Sequence, residues 1–340
     1  MLKSKLTKTE LNAWAEYIKK SKILVIGDVM LDVYIHGKVD RISPEAPVPV
    51  VNVKEYKTCL GGAANVAFNL QAMGATPILC GTIGDDVKGN EFLTILNKHR
   101  LSSQGMMEVE NRPTTVKTRI IGNKMQLLRI DEEIDEPLTE KENQRFYSYI
   151  ENILCKEDIK AIVFEDYDKG SISPLLIEKI ASIAATKSIP ILVDPKKRNF
   201  LDYKNIQLFK PNLSELTSGL ELNKHGLDLQ ALSIEINKFM DNNQLEIVMT
   251  TMSDKGILIC YKDNTEFAYD WIPAHVRSVA DVSGAGDTVI SIATLALIYG
   301  FSPLMIAKFA NIAGGLVCET IGVVPIDKKI FFNECEKILV

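Results

Sequence analysis

The segment Asp281-Val-Ser-Gly-Ala-Gly-Asp287 combines turn-forming glycines with a carboxylate, a pattern that can carry out chemistry. Residues 288–299, which follow it, are small and apolar and predict a buried helix beginning near Gly286. The backbone amides of residues 284–286 would then converge at a helix N-terminus, where free N–H groups and the helix dipole attract anions. Asp287 would lie beside that anion and could accept a proton from a hydroxyl group that attacks phosphorus.

So short a motif is also compatible with a purely structural role or with a different nucleotide site. A helix N-cap with turn glycines is the common structural role of such a segment. Gly284-Ala-Gly286 is also half of the dinucleotide-binding pattern G-x-G-x-x-G, but the third position is Val289 and the segment lies late in the chain. The phosphate-binding pattern G-x-x-x-x-G-K-[ST] is absent from the sequence, which excludes a P-loop enzyme.

The elements that must position this segment alternate between short apolar strands and amphipathic helices. This alternation predicts an α/β fold with a doubly wound, mostly parallel sheet. The predicted strands are Ile23–Ile26, Ile78–Ile83, Ala161–Phe164, Ile191–Val193, Ile247–Met249 and Ile257–Cys260. The predicted helices cover residues 8–20, 63–73, 89–99, 139–154, 174–187 and 229–241.

Two stretches depart from the alternation and predict a small inserted β-sheet. Pro47–Val53 is rich in β-formers and carries prolines, which suits an edge strand. Residues 115–121 and 126–130 predict a hairpin around the turn Gly122-Asn123. We expect lid segments at about residues 36–58 and 112–131, within a single domain that covers residues 1–340. Such a layer can close over a site or form a dimer interface.

The composition narrows the class of protein. A net charge of −5 argues against a nucleic-acid partner, and no run of eighteen apolar residues predicts a membrane span. The six cysteines show no C-x-x-C spacing and the chain has four histidines, so we expect reduced thiols and no zinc site. The N-terminus lacks the apolar core of a signal peptide, and we expect a cytoplasmic protein.

Two motifs, about 220 residues apart and in the expected order, give the sequence its resemblance to the ribokinase-like (PfkB) carbohydrate kinases. Gly61-Gly-Ala-Ala-Asn65 matches the first family signature, and residues 281–287 match the second, Asp-x-x-Gly-Ala-Gly-Asp. The resemblance covers residues 22–325. It implies a parallel-sheet body with a β lid and phosphoryl transfer from ATP with Mg²⁺. It also implies that Asp287 is the catalytic base and that Gly284, Ala285 and Gly286 form the anion hole.

Within this family the sequence resembles the bacterial D-glycero-D-manno-heptose-7-phosphate kinases. The segment Arg41-Ile-Ser-Pro-Glu-Ala-Pro-Val-Pro49 is long and unusual, so it carries most of this resemblance. Shorter matching segments are Gly27-Asp-Val-Met-Leu-Asp32, Asp166-Tyr-Asp-Lys-Gly170, Val193-Asp-Pro-Lys196 and Pro211-Asn-Leu-Ser-Glu215.

The resemblance implies a sugar site on the lid side. Asp32 can accept hydrogen bonds from a sugar diol, Asn65 can donate and accept, and Gly61 and Gly62 permit close approach of the backbone. Asp32 ending a strand and Asn65 bracing a helix are the structural alternatives. A sugar phosphate brings a second dianion that needs its own cations. The candidates, each of which could instead be a solvated charge, are Arg41, Lys117, Arg119, Arg129, Lys169 and Lys196. Lys117 and Arg119 share one strand face by the period of two.

The resemblance also implies a nucleotide side. Asn212 and Glu215 would help to hold Mg²⁺ through water, although Glu215 could equally be a solvated residue at a helix start. The other implied nucleotide contacts are Lys196, Thr251, Ser253, Gly256, Asp281 and Asn311. The family pattern Thr-x-Gly-x-x-Gly reads Thr251-Met-Ser-Asp-Lys-Gly256 here, so Ser253 stands at the first glycine.

We therefore expect an ATP-dependent kinase that phosphorylates the C1 hydroxyl of heptose 7-phosphate for ADP- or GDP-heptose, used in lipopolysaccharide-type surface glycans. The alternatives are a kinase of another sugar and a non-catalytic sugar- or nucleotide-binding regulator; a dinucleotide-dependent oxidoreductase lacks its glycine fingerprint. We expect a homodimer joined through the β lid. Because the sequence has no His-x-Gly-His, we also expect a separate nucleotidyltransferase to act downstream.

Overall fold

The computed structural model describes residues 6–223, 228–263, 266–275 and 280–340. Its strands are β1 (Lys22–Gly27), β2 (Val29–Ile42), β3 (Pro49–Gly62), β4 (Thr76–Gly84), β5 (Gly105–Val109), β6 (Val116–Gly122), β7 (Met125–Glu132), β8 (Ile159–Glu165), β9 (Ile191–Asp194), β10 (Leu208–Phe209), β11 (Ile247–Thr251), β12 (Ile257–Asp263) and β13 (Glu266–Ile272). Its α-helices are α1 (Lys8–Ile18), α2 (Ala63–Met73), α3 (Val87–Lys98), α4 (Glu140–Lys156), α5 (Pro174–Lys187), α6 (Leu213–Gly219), α7 (Leu229–Asn243), α8 (Ala285–Tyr299), α9 (Pro303–Val317) and α10 (Lys328–Leu339).

The larger sheet has the strand order β13-β12-β11-β10-β9-β8-β1-β4-β5 across the described residues. Its strands pair in parallel from β11 to β5, whereas β12 and β13 are antiparallel. In β1, Ile23 and Val25 pack into one apolar layer, and Leu24 and Ile26 pack into the other. Helices therefore cover both faces, as a parallel sheet requires. The predicted doubly wound, mostly parallel fold is confirmed.

All six predicted strands and all seven predicted helices, including the one over residues 288–299, are present, with ends that differ by a few residues. The strands β5, β10 and β13 were not predicted. Strand β10 is only two residues long and is identified by its neighbours in the sheet rather than by its own pattern.

A separate sheet has the order β3-β2-β6-β7 within the described part of the chain. The predicted edge strand is confirmed as β3, but it continues to Gly62, nine residues beyond the predicted end. It pairs with β2, a fourteen-residue strand that was not predicted. The first residues of β2 lie in the segment Gly27–Asp32, which was interpreted as a family motif and not as a strand. The part of the small sheet formed by β2 and β3 therefore covers residues 29–62, which is wider than the expected lid segment at about residues 36–58.

The predicted hairpin is present as β6 and β7, paired in antiparallel fashion. Its turn residues are Asn123 and Lys124, with φ of 51° and 68°. Two consecutive positive φ angles match the twist of a two-residue hairpin turn. Gly122 ends strand β6, so the predicted turn at Gly122-Asn123 was placed one residue too early.

All six cysteines are free thiols. Across the residues that the structure describes, no helix has the length and apolar character needed to cross a bilayer.

Candidate active site at the start of helix α8

Helix α8 carries Asp287 in its first turn, close to the predicted start. Its N-cap is Gly284, with φ of 77°, a left-handed conformation that favours glycine. A Cβ atom at this position would lie 2.6 Å from the Asn65 side-chain amide, so space as well as conformation requires glycine here. Within this turn the amide of Ala285 donates to the Val282 carbonyl at 3.2 Å, and the helix that follows is buried along Asp287–Ala296.

Two side chains hold the Asp287 carboxylate. Asn65, on the first turn of α2, donates to Oδ2 at 2.7 Å, and Tyr167 donates its hydroxyl to Oδ1 at 2.9 Å. Helix α2 is fixed against α8 by a second polar contact, in which Thr288 donates to Asn69 at 3.1 Å. The carboxylate is thus oriented from two directions and keeps lone pairs for a reacting hydroxyl.

Asp28 positions the loop that carries Tyr167. Its Oδ2 accepts the backbone amides of Tyr167 and Lys169, at 2.8 and 3.0 Å, and its Oδ1 accepts the amide of Ser171 at 3.2 Å. Asp166 holds the same loop to a neighbouring segment, because its carboxylate accepts hydrogen bonds from the side chains of Asn199 and Tyr203, both at 2.9 Å. Asp28 and Asp166 therefore act on the loop rather than on a ligand.

Burial governs the pKa of Asp287. Mainly because the carboxyl group is removed from water, its pKa is raised to about 6. The hydrogen bonds from Asn65 and Tyr167 oppose this rise, and the negative charge of Asp194 adds to it. Below neutral pH the group passes between its acid and carboxylate forms. A carboxylate in that range can act as a general base at neutral pH.

Three buried carboxylates meet at the carboxyl ends of the parallel strands. Oxygens of Glu165, Asp194 and Asp287 all lie within 4.8 Å of one another. The Lys210 ammonium lies 2.7 Å from Asp194 Oδ2, and Lys196 pairs with Glu215. Burial, together with Asp194 and Asp287, holds the pKa of Glu165 well above its usual range.

On the lid side of the site, the predicted sugar-binding residues lie close together. Asp32 on β2 accepts a hydrogen bond from Arg119 on β6 at 2.5 Å, and the Arg119 guanidinium lies 5.3 Å from the centre of the Tyr34 ring. Gly61 faces Asp32: a Cβ there would lie 2.1 Å from Oδ2, so the glycine gives room to this carboxylate. Gly62 caps α2 with φ of 60°.

The predicted cations divide into two groups. Lys117 and Lys169 are largely buried, with 14% and 18% of their side chains exposed, and both bind Glu133. Arg129 instead donates two hydrogen bonds to Asp131, two residues later on the edge strand β7. Arg41 is exposed and has no ion pair within the described residues. The structure therefore brings Lys117 and Lys169 together and leaves Arg41 and Arg129 on the outer part of the lid.

The predicted nucleotide residues lie at the ends of neighbouring strands. Asn212 forms a bridge to Thr251, and Asn212 and Glu215 cap helix α6 reciprocally. Burial lowers the pKa of Lys196, but Asp194 and Glu215 outweigh burial and leave it raised. Ser253 has φ of 55° and Gly256 has φ of 89°, so the serine adopts a conformation typical of the glycine that the family pattern has there.

Asp281 and Asn311 have contacts within the protein. Asp281 accepts the amides of Ser283 and Gly322, both at 2.9 Å, and so joins the glycine turn to the segment after α9. Asn311 on α9 donates to the Pro273 carbonyl at 2.9 Å. These contacts support the walls of the site.

Several residues of the site were not predicted as functional. They are Asp28, Glu133, Glu165, Tyr167, Asp194 and Lys210. Tyr167 and Asp194 belong to segments that carried the resemblance, so the segments were recognised without the roles of these side chains. Glu165, Asp194 and Lys210 end or follow β8, β9 and β10, and a signal was available in charged residues directly after apolar strands.

This arrangement suits transfer of a phosphoryl group to a hydroxyl. It combines a buried, doubly oriented carboxylate with a helix N-terminus, whose dipole favours anions, and with lysines at the carboxyl ends of parallel strands. The site and fold together define a phosphotransferase with an alcohol group as acceptor.

Comparison with known proteins identifies the family. The pfkB family of carbohydrate kinases matches residues 20–329, and the chain belongs to this family. It is a phosphotransferase that acts on a sugar hydroxyl, and the family implies ATP as donor.

Curated relatives share more than a third of the residues. The chain is 38% identical over 302 residues to the bifunctional protein HldE of Wolinella succinogenes and 37% identical over 302 residues to that of Helicobacter pylori. Each alignment covers 88% of this chain but only 61% and 63% of the relative. The chain thus spans less than two thirds of the length of these relatives.

Solved structures support the fold. Escherichia coli phosphofructokinase-2 in complex with fructose-6-phosphate has a TM-score of 0.74 at 16% identity, covering 94% of this chain and 99% of that one. Arabidopsis thaliana ribokinase complexed with ribose and ATP has a TM-score of 0.68 at 17% identity, covering 92% and 98%. At this identity the similarity establishes the ribokinase-like fold alone.

Proposed function

We propose that the chain transfers the γ-phosphoryl group of ATP to the C1 hydroxyl of D-glycero-D-manno-heptose 7-phosphate and so forms the 1,7-bisphosphate. The similarity to the HldE proteins and the segment Arg41–Pro49 support this substrate. The product would serve ADP- or GDP-heptose synthesis for bacterial surface glycans, in the cytoplasm where ATP is supplied. A separate nucleotidyltransferase would act later, on a heptose 1-phosphate.

The position of Asp287 carries the proposal. Its carboxylate accepts the proton of the C1 hydroxyl while the hydroxyl oxygen forms a bond to the γ-phosphorus and the bond from that phosphorus to the β-phosphate bridging oxygen breaks. The hydrogen bonds from Asn65 and Tyr167 hold the carboxylate still during this step. Burial keeps competing water away from the same phosphorus.

The start of α8 binds the transferred group in this proposal. The amides of Gly284, Ala285 and Gly286 donate to its oxygens as negative charge moves, and Ala285 exchanges its 3.2 Å bond to the Val282 carbonyl for this contact. Lys210 lies close by, since a methyl group on Gly286 would lie 3.6 Å from its ammonium. The remaining nucleotide contacts come from Lys196 and from the loop of Thr251, Ser253 and Gly256, with Asp281 and Asn311 supporting the walls.

The residues at the strand ends fit Mg²⁺. Among the described residues, the four acids Glu165, Asp194, Glu215 and Asp287 are balanced here by Lys196 and Lys210. Glu165 Oε2 is buried and has no hydrogen-bond partner in the described part of the chain. This excess of carboxylate oxygen is the donor set that magnesium prefers. Asn212 and Glu215 would hold the ion through water, and the ion would supply charge neutralisation for the phosphates.

The sugar would bind between the lid and α2. Asp32 accepts hydrogen bonds from its hydroxyls, and Asn65 both donates to them and accepts from them. Gly61 and Gly62 leave the backbone accessible, and Arg119 donates to Asp32 and fixes it. Lys117 and Lys169 provide the positive charge for the 7-phosphate. Arg41 and Arg129 lie farther out on the lid and would contribute to its long-range attraction.

The experiment compares kcat/KM for heptose 7-phosphate, heptose, fructose 6-phosphate and ribose at one ionic strength, with ADP release as readout. We expect heptose 7-phosphate to be preferred over heptose by about 10²–10⁴-fold, because two charge-assisted contacts are lost with the phosphate. Phosphorus NMR of the product must show a new phosphate on C1. A preference for ribose or fructose 6-phosphate would leave a sugar kinase with another substrate.

We further propose that two copies pair through the lid. Exposed apolar side chains are concentrated there: Ile42, Val48, Val53, Tyr56, Met125, Leu127, Leu128 and Ile130. A second copy would cover this face and the open edges of β3 and β7. Sedimentation should give a dimer mass, and Leu128→Asp should give a monomer. The control is Val87→Asp on α3, which is 81% exposed on the body; a wild-type monomer at all concentrations would contradict the proposal.

A further inference from the structure

Glu133 connects two lysines from different parts of the molecule. Its Oε2 accepts from Lys117 at 2.6 Å, and its Oε1 accepts from Lys169 at 2.7 Å. The side chains of all three residues are less than a quarter exposed. Each oxygen of one carboxylate is therefore committed to a different ammonium group.

The two lysines come from different elements that border the proposed sugar position. Lys117 is on the lid strand β6, directly beside Asp32 of β2 in the parallel register. Lys169 is two residues beyond Tyr167, and its backbone is fixed at the amide by Asp28 and at the carbonyl by Arg112. The gap that Glu133 bridges is thus bordered by the groups assigned to the sugar and to the catalytic base.

The cations around this gap can bind an anion of higher charge than one carboxylate. Lys117 also contacts Asp131 at 3.3 Å, but Asp131 shares its charge with Arg129 through two bonds of 2.9 Å. One carboxylate therefore serves two partly buried ammonium groups. A phosphate dianion carries twice the charge and has three terminal oxygens, so it satisfies both lysines better.

We propose that Lys117 and Lys169 form the binding site for the substrate's phosphate and that Glu133 is an internal carboxylate that occupies this site until the phosphate displaces it. The inference rests on the proposed function for the identity of the sugar, but the anion site itself does not depend on it. Glu133 prevents two buried ammonium groups from repelling each other in the free protein. It also sets a threshold, because a ligand without a dianion gains nothing by displacing it.

A permanent structural role for Glu133 makes the opposite prediction. If the carboxylate stayed in place when the sugar bound, its removal would loosen the lid and weaken phosphate binding. If the carboxylate is displaced, its removal strengthens phosphate binding. The sign of the change therefore separates the two.

The experiment uses Glu133→Gln, with Glu132→Gln as the matched control. Glu132 is the adjacent residue, carries the same charge, is exposed and has no ion pair within the described residues. The first measurement is calorimetric binding of inorganic phosphate at fixed ionic strength, with the nucleotide site filled by a non-hydrolysable ATP analogue. The second is KM for heptose 7-phosphate and for heptose, with thermal unfolding as a check on folding.

In Glu133→Gln we expect phosphate to bind about 10- to 100-fold more tightly, the range for one charge-assisted bond, because glutamine keeps one of the two acceptor oxygens. KM for heptose 7-phosphate should fall by a similar factor, while KM for heptose stays unchanged. Glu133→Asp, too short to reach both lysines, should lie between the wild type and Glu133→Gln. Glu132→Gln should leave all three values unchanged.

Unchanged or weaker phosphate binding in Glu133→Gln overturns the inference, as does an equal gain in Glu132→Gln. The failure of the substrate assignment gives a different result. In that case heptose 7-phosphate is not phosphorylated by the wild type, yet inorganic phosphate binds more tightly to Glu133→Gln, and the internal carboxylate stands.

Discussion

The side-chain amide of Asn65 lies 2.7 Å from Oδ2 of Asp287, although the two residues are 222 positions apart in the sequence. They belong to the first turns of two helices, α2 and α8, that pack against each other in the body. The contact joins the two signature motifs directly. The Asp287 carboxylate is therefore oriented by the helix that also follows the lid strand β3, so its position depends on segments far apart in the sequence.

Replacing Asp287 by Asn should lower kcat by about 10²–10⁴-fold, the usual size of general-base catalysis. The amide keeps the size of the side chain but cannot accept the proton. Burial raises the folded-state pKa of Asp287 above its unfolded value, so its ionised form costs stability at pH values above that pKa. The variant should therefore melt at the same temperature or higher and should bind ATP normally. Near-normal turnover would remove Asp287 from the role of base.

The acidic limb of the pH profile should report Asp287. Because only the carboxylate accepts a proton, kcat/KM should fall as the pH drops through about 6, the raised pKa of this group. In the wild type the hydrogen bond from Tyr167 stabilises the ionised form of Asp287 and so lowers the pKa of this carboxyl group. Tyr167→Phe removes the bond and raises the pKa, so the acidic limb should move to higher pH. Rate profiles of both proteins with the sugar below KM test this. A limb that Tyr167→Phe leaves in place argues that another group controls it.

Gly284→Ala should reduce activity more than stability. Its Cβ would lie 2.6 Å from the Asn65 amide and would push that group away from the base. The matched control is Gly300→Ala at the other end of α8, where φ is also positive but no atom of the described residues lies within 4 Å of the added carbon. Both variants should lose about 1–2 kcal/mol of stability from the left-handed conformation. Only Gly284→Ala should lose turnover, and equal loss in both would contradict the assignment of this turn.

Ser253→Gly should stabilise the protein. Serine in the left-handed region is strained, and glycine relieves the strain at some cost in unfolded-state entropy, for a net gain of about 0.5–1 kcal/mol. Ser188→Gly is the control, since Ser188 ends α5 with φ of 53° away from the site. Chemical denaturation should show a similar gain in both variants, and KM for ATP should not rise in either. Loss of stability in Ser253→Gly alone would show that its hydroxyl has a role of its own.

The sequence was sufficient where a function is carried by a contiguous segment. Residues 281–287 predict the start of helix α8, which the structure has at Ala285. The alternation of side chains along a strand predicts Lys117 and Arg119 on one face, and the structure has them bound to Glu133 and Asp32. The apolar strands likewise reveal themselves by composition. These features depend on neighbours within a few residues.

The rest of the site depends on the order of strands in the sheet. Glu165 and Asp194 end β8 and β9, and Lys210 follows β10. These three strands are neighbours in the sheet, and no local sequence pattern predicts that order. Glu133 follows the hairpin and meets Lys169 only because the lid folds back over the body. The lengths of β2 and β3 were missed for a similar reason, since their long pairing is stabilised by each other rather than by local propensity.

Asp28 is the only residue between strand β1 of the body and strand β2 of the lid. Its carbonyl accepts the amide of Ala63, where the lid returns to the body, and its carboxylate holds the loop of Tyr167. The start of β2 and the end of β3, two of the four points where the lid sheet joins the body, thus meet at one residue. A rotation of the backbone there that swung the lid outward would also turn this carboxylate and withdraw support from Tyr167. Through Tyr167 the orientation of the Asp287 carboxylate is thus coupled to the backbone at the junction between the body and the lid.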